Sequence, residues 1–138
     1  MLLQRHGDDL RTKAKAYAAA GSDARMSGCE LPVIINSGSG NQGMTASLPV
    51  IVYANGYEKT KEELYRALVV SNLVTIHQKS GIGRLSAYCG AISAGCGAGC
   101  GIAYLLGADY HAISQTLVNS VADNSVAPTE YSFSLSYL

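Results

Sequence analysis

Two stretches of this 138-residue chain hold residue types that could do chemistry. The first is Asn36-Ser37-Gly38-Ser39-Gly40-Asn41-Gln42-Gly43. Its glycines let backbone N–H groups approach a ligand closely, and Ser37, Ser39, Asn41 and Gln42 add neutral donors. If Asn41 or Gln42 opens the next helix, the positive end of that helix faces the loop. An anionic group such as an amino-acid carboxylate is then the natural guest. The stretch lacks the Lys-Ser/Thr of a phosphate-binding loop and the spacing of a dinucleotide fingerprint. A plain flexible connection accounts for the same composition.

The second stretch holds Cys89, Cys96 and Cys100, seven and four residues apart, which fall on one stripe of a helix. Three sulfurs along about three helical turns are too far apart for one ion, so geometry lets at most two ligate together. Small buried packing residues are the simpler reading of Cys96 and Cys100. Cys29 has no partner at metal spacing and is expected to be inert. Between the two stretches, His77, Lys79 and Arg84 bracket the glycines Gly81 and Gly83. A desolvated Lys79 could act as a general base and Arg84 could clamp a carboxylate. Cations complementing the end of a helix dipole explain Lys79 equally well. His6 and His111 suggest only surface positions.

The elements that must carry these residues are mainly helical. With 48% hydrophobic and 14% charged residues the chain is no disordered segment, and its length suits one domain. Ten basic residues balance ten acidic ones, which leaves no field for nucleic acid. The polar start, MLLQRHGDDL, is no secretory signal, so a reducing cytoplasm and free thiols are expected. Leu85 to Leu106 is uncharged and long enough to span a bilayer, but Gly, Ala, Ser and Cys dominate it and insertion would be poor; no membrane span is expected.

A first helix is expected over Asp8–Ala20, ended by Gly21, with Ser22-Asp23 offering a new cap. Glu30 to Ile35 could be a short strand or a helical turn. Met44 to Ala54 is apolar, with Pro49 either kinking a helix or sitting in its first turn, and Asn55-Gly56 closes it. Thr60 with Glu63 makes a capping box, and Leu64, Leu68, Leu73 and Ile76 support a helix to about Lys79, broken by Gly81 and Gly83. A small-residue helix over Leu85–Leu106 and a last one capped by Asp109, with Ile113, Leu117 and Val121 on one face, complete the set. The fold class is therefore mainly α: a compact helical domain over residues 1–124, with small-residue helix packing and a glycine-rich loop, followed by an irregular tail at 125–138.

Three blocks together resemble one family. Ser22-Asp-Ala-Arg-Met26, Asn36-Ser-Gly-Ser-Gly-Asn-Gln-Gly-Met-Thr-Ala-Ser47 and Ile82-Gly-Arg-Leu-Ser-Ala-Tyr-Cys-Gly-Ala91 look like the catalytic region of L-cysteine desulfidases, which share the serine dehydratase alpha-chain domain. The resemblance runs from about Ala18 to Asn119. It implies a 4Fe-4S cluster held by three cysteines, β-elimination on a small amino acid, and release of pyruvate and ammonia, with sulfide when the substrate is cysteine. By the same resemblance Cys89 is one cluster ligand, and the block Ser37, Gly38, Ser39, Gly40, Asn41, Gln42 holds the substrate; from their own place at the glycine break, Arg84 is expected on its carboxylate and Lys79 as the base. Members of the family carry further ligands in a Gly-Cys-Thr-Glu-Pro segment upstream and a Cys-Asp-Gly-Ala segment downstream, and neither stands in this chain. With one ligand of three, the chain is expected to resemble a partial enzyme that assembles no cluster and is inactive alone. A non-catalytic carboxylate-binding or scaffold module is the alternative. The apolar end Tyr131–Leu138 leads us to expect self-association, or complementation by the missing segments.

Overall fold

Helix starts follow the side chains able to satisfy first-turn N–H groups. In a computed structural model, which describes residues 9–82 and 90–126, Asp9 accepts from the Thr12 N–H at 2.7 Å and opens α1 (Leu10–Met26). α2 spans Gly40–Gly56 behind Ser39. The expected capping box opens α3 (Lys61–Ile82): the Glu63 carboxylate accepts from the Thr60 N–H at 2.9 Å, and the Glu63 N–H donates to the Thr60 hydroxyl at 3.3 Å. α4 covers Gly90–Leu105. Asp109 caps α5 (Tyr110–Val126) by accepting from the Ala112 N–H at 2.8 Å. Among the described residues there are five helices and no strand, so the mainly α class stands. Glu30 to Ile35 is neither strand nor helix; the isolated bridge between Asn36 and Ser39 follows it.

The Glu63 box makes a prediction. Hydrogen bonds from the Thr60 backbone and hydroxyl, then from Lys59, hold the Glu63 carboxyl at about 2, below its ordinary 4.5. A carboxyl depressed in the folded state adds stability above its unfolded value and loses it as pH falls through the folded one. Glu63→Gln is therefore expected to flatten the decline in urea midpoint between pH about 4.5 and about 2 relative to the parent chain. Equal slopes for both proteins would contradict it.

Glycines that look like helix breakers serve instead as packing sites. α1 does not stop at Gly21 but continues to Met26, and Ser22 and Asp23 lie inside it rather than at a cap. A Cβ on Gly21 would stand 3.0 Å from Met44 Sδ and 3.2 Å from Leu48 Cδ1, so the bare backbone is what lets α2 approach. The left-handed residue is Gly28 (φ 92°), where the Cys29 N–H reaches Ala24 O and the Gly28 N–H reaches Arg25 O. Gly56 makes room for Leu10, and the left-handed residue after α2 is Glu58 (φ 50°). Pro49 lies well inside α2, fully buried, which removes the first-turn option. α3 likewise runs through Gly81 to Ile82, beyond the expected end near Lys79. Gly83 and the Leu85–Cys89 part of the expected small-residue helix lie outside the described residues. α5 continues to Val126, two residues past the point where the sequence pattern lapses.

The apolar period of α3 also needs correction. Leu64 and Leu68 pack on the core, but Leu73 and Ile76 are about half exposed; the buried face is Ala67, Ser71, Thr75 and Lys79. Small residues win there because α4 presses its own glycines against them. A Cβ on Gly97 would overlap the Thr75 hydroxyl and the Ser71 carbonyl, and one on Gly101 would stand 2.8 Å from Ser71 Cβ and 2.9 Å from Ala67 O. Ser71 and Thr75 stay satisfied by donating to Ala46 O at 2.6 Å and Ser71 O at 2.8 Å. Around this seam Val50, Ala54, Ala67, Ala98, Ile102 and Leu105 form the core. α4 packs against α2, α3 and α5, while α1 packs on α2.

Candidate functional site

The contacts fix which helix ends meet. Ala46 of α2 is level with Ser71 of α3, Val50 lies beside Gly101 of α4, and a Cβ on Gly90 would collide with the Gln42 amide. So α2 and α4 run parallel, with their N-termini at one end of the bundle, and α3 runs against both. Thr75 of α3 sits near Ser93 O, at 3.5 Å, and Lys79 is one helical turn further on. Lys79 is thereby carried level with the first turn of α4. It is only 4% exposed. Two positive helix ends and a buried lysine thus share one end of the molecule, an arrangement that suits an anion.

The glycine-rich stretch builds this end. Reciprocal bonds between the Asn36 and Ser39 backbones (3.2 and 3.1 Å) close a tight turn, with Ser37 at φ 50° and Gly38 at φ 90°. Asn36 is buried and donates through Nδ2 to Asn72 Oδ1 at 2.7 Å, which ties the turn to α3, and the Ser37 hydroxyl donates to Asn36 Oδ1 at 2.8 Å. The stretch is a loop only as far as Ser39: Gly40, Asn41, Gln42 and Gly43 already belong to α2, so the helix opens earlier than Asn41. Ser39 is the N-cap but makes no side-chain capping bond, so it does not cap the first-turn N–H groups of Gly40, Asn41 and Gln42. Gly43 is glycine because the Ile34 carbonyl occupies the place of its Cβ.

Three further groups gather here that sequence reading did not single out. Arg25 donates through Nη1 to Asn41 Oδ1 at 3.0 Å, and its Nε would lie 2.9 Å from a Cβ on Gly40. Asn72 holds Asn36, as described. Gln78, next to Lys79 in α3, has its Nε2 buried without a hydrogen-bond partner, as is Gln42 Oε1, an uncommon condition for buried polar atoms. Arg25 lies within a quoted block, so its position was the available signal; Asn72 and Gln78 gave none.

Of the sequence candidates, the structure brings together Ser37, Gly38, Ser39, Gly40, Asn41, Gln42 and Lys79 at this end, while Arg84 and Cys89 lie outside the described residues. Cys89 immediately precedes Gly90, against which Gln42 is packed. Cys96 and Cys100 are buried in the bundle. Burial, then the neighbouring Cys96, pushes the Cys100 thiol up to about 11, and its Sγ lies 3.9 Å from Ile113 O. Such a thiol stays protonated at neutral pH, in keeping with a buried packing group. Among the described residues no three His, Cys, Asp or Glu side chains converge as a metal would require, so these residues do not by themselves fit a cluster. Nor is any described helix long and apolar enough to cross a membrane. Two shallow grooves lie away from this end, one of about 360 Å³ beside Arg66 and Tyr104 and one of about 320 Å³ beside Leu10 and Tyr17.

A helical domain with a glycine-rich turn at paired helix N-termini is the architecture found here, and a family model described as serine dehydratase alpha chain matches residues 2–125. The chain belongs to that family. Among its relatives, a UPF0597 protein of Desulfitobacterium hafniense is 69% identical over 122 residues, 88% of this chain and 28% of the relative. A UPF0597 protein of Lachnoclostridium phytofermentans is 61% identical over 124 residues, 90% of this chain and 30% of the relative, and one of Finegoldia magna is 53% identical over 120 residues, 87% and 29%. The chain thus spans less than a third of the length of the curated relatives it matches. No solved structure matches it.

Proposed function

We propose that this chain is the amino-acid-binding portion of an iron–sulfur-dependent lyase of the L-cysteine desulfidase type, acting on cysteine or serine by β-elimination, and inactive alone. One observation carries the reading: the turn Ser37–Gln42 and the helix that follows Cys89 meet at one end, through Gln42 against Gly90, with Lys79 level with them. Family membership supports the iron–sulfur assignment. A carboxylate docks on the N–H groups of Gly40, Asn41 and Gln42 with the Ser39 hydroxyl beside it, and Arg25 and Arg84 add positive charge. Lys79 takes the α-proton; the electrons of the broken Cα–H bond form the Cα–Cβ double bond, and the β-substituent leaves as hydrosulfide or hydroxide. The resulting aminoacrylate takes up water to give pyruvate and ammonia. In this reading Cys89 is the chain's contribution to the cluster, and the remaining ligands come from parts of the family chain not represented here.

Replacing the matched region of the Desulfitobacterium hafniense protein by this chain tests the proposal. The anaerobically reconstituted chimera is expected to release pyruvate from cysteine or serine, with Lys79→Ala slowing it by about 100-fold or more and Cys89→Ala abolishing cluster and activity, while this chain alone shows neither. Turnover by the parent relative but not by the chimera, or sulfide release by the chain alone, would overturn it. A carboxylate-binding module without catalysis would instead bind amino acids tightly without iron, in calorimetry.

A further inference from the structure

Although Leu64 and Leu68 pack on the core, α3 leaves several of its large apolar side chains facing outward. Ala67, Ser71 and Thr75 fill the buried face, while Tyr65, Val69, Leu73 and Ile76 form a continuous stripe, at spacings of four, four and three residues, on the opposite face. Leu73 is 59% exposed and Val69 56%. The bond between Asn36 and Asn72 brings the end of the Leu31–Ile35 strip alongside this helix, and there Ile34 and Ile35 are exposed as well. None of these six side chains carries charge. An uncharged, contiguous apolar surface of this size is the mark of an interface rather than of a solvent-facing helix.

We propose that the outer face of α3, with Ile34 and Ile35 at its margin, is the surface on which the rest of the family polypeptide docks. The relatives supply the argument for this occupant. More than two thirds of each lies outside the match, while within the match the Desulfitobacterium hafniense protein is 69% identical, so a large remainder is joined to the same sequence region and is available to cover this face. Among the described residues α4 packs against α2, α3 and α5, and α3 packs against α2 and α4 on its inner side, so no described helix lies over the stripe. The stripe is apolar throughout, which fits another protein core and excludes a phosphate-bearing partner. This inference rests on family membership and on exposure, not on the catalytic reading.

Thiol labelling tests it. A Leu73→Cys variant of the full chain is treated with a maleimide, and modification is followed peptide by peptide, with the exposed native Cys29 as the reference for an open thiol. In the chain alone, at concentrations where light scattering reports a monomer, position 73 is expected to label as fast as Cys29. Co-expressed with the unmatched portion of the Desulfitobacterium hafniense protein, it is expected to slow at least tenfold. If that portion does not fold separately, the same variant in the chimera gives the reading directly, and slow labelling there supports the proposal. Fast labelling at position 73 in the chimera overturns it. So does protection that appears in the chain alone as its concentration rises and is absent in the chimera, since the occupant would then be a second copy of this chain.

Discussion

Gly97→Ala is expected to lower the stability of the chain by about 2 kcal/mol or more, although alanine is the better helix former by about 1 kcal/mol. The added methyl group would enter space held by the Thr75 hydroxyl and the Ser71 carbonyl. The hydroxyl can rotate away, but the carbonyl is α3 backbone and can yield only if the two helices part. Separation would also open the contacts of Gly101 with Ser71 and Ala67. Thr75→Ser should therefore fail to rescue Gly97→Ala. Gly95→Ala provides the internal comparison, because nothing lies within 4 Å of its new methyl group. It is expected to leave stability unchanged or raise it by up to about 1 kcal/mol through helix propensity. Urea midpoints of the three variants measure this; equal effects of the Gly95 and Gly97 changes would mean that the α3–α4 seam is looser than described.

Gly43→Ala is the second large effect. Its methyl group would overlap the Ile34 carbonyl, again backbone, so the strip before the turn must lift off α2. That movement pulls on Asn36, whose side chain anchors the turn to Asn72 at 2.7 Å. The expected outcome is a loss of about 2 to 3 kcal/mol, together with faster amide exchange over residues 33 to 39. Gly38→Ala should be milder, costing about 1 kcal/mol, because its positive φ is the sole obstacle and the space around it is open. Unchanged amide exchange over residues 33 to 39 in Gly43→Ala would show that the strip does not depend on this close approach.

Much of the fold was legible wherever a side chain acts on its own neighbours. The Thr60–Glu63 box and the Asp109 cap are local chemistry, and both helices begin where those residues stand. Gly21 was misread because composition cannot distinguish a glycine that ends a helix from one that admits another helix; Met44 and Leu48 make that decision from elsewhere in the chain, whereas Gly56 closes α2 as expected. The apolar period of α3 failed for a related reason. It reports which face is apolar, and the helix presents large residues on one side while α4 takes the small ones on the other. At the candidate site the glycine-rich turn was visible as a motif, and so was Lys79. Arg25 and Asn72 join it only through tertiary hydrogen bonds, which no spacing in the sequence encodes.

The division of α3 into a small inner face and a large outer one also apportions conformational entropy. Alanine and glycine freeze no rotamers when buried, and serine few, so the seam with α4 forms at little side-chain entropic cost. Tyr65, Val69, Leu73 and Ile76 stay exposed on the outside, where Tyr65 and Leu73 keep more rotamer freedom than the β-branched Val69 and Ile76. The cost of ordering them is deferred to the moment another surface covers them, so association there is expected to carry an unfavourable side-chain entropy that formation of the bundle itself does not.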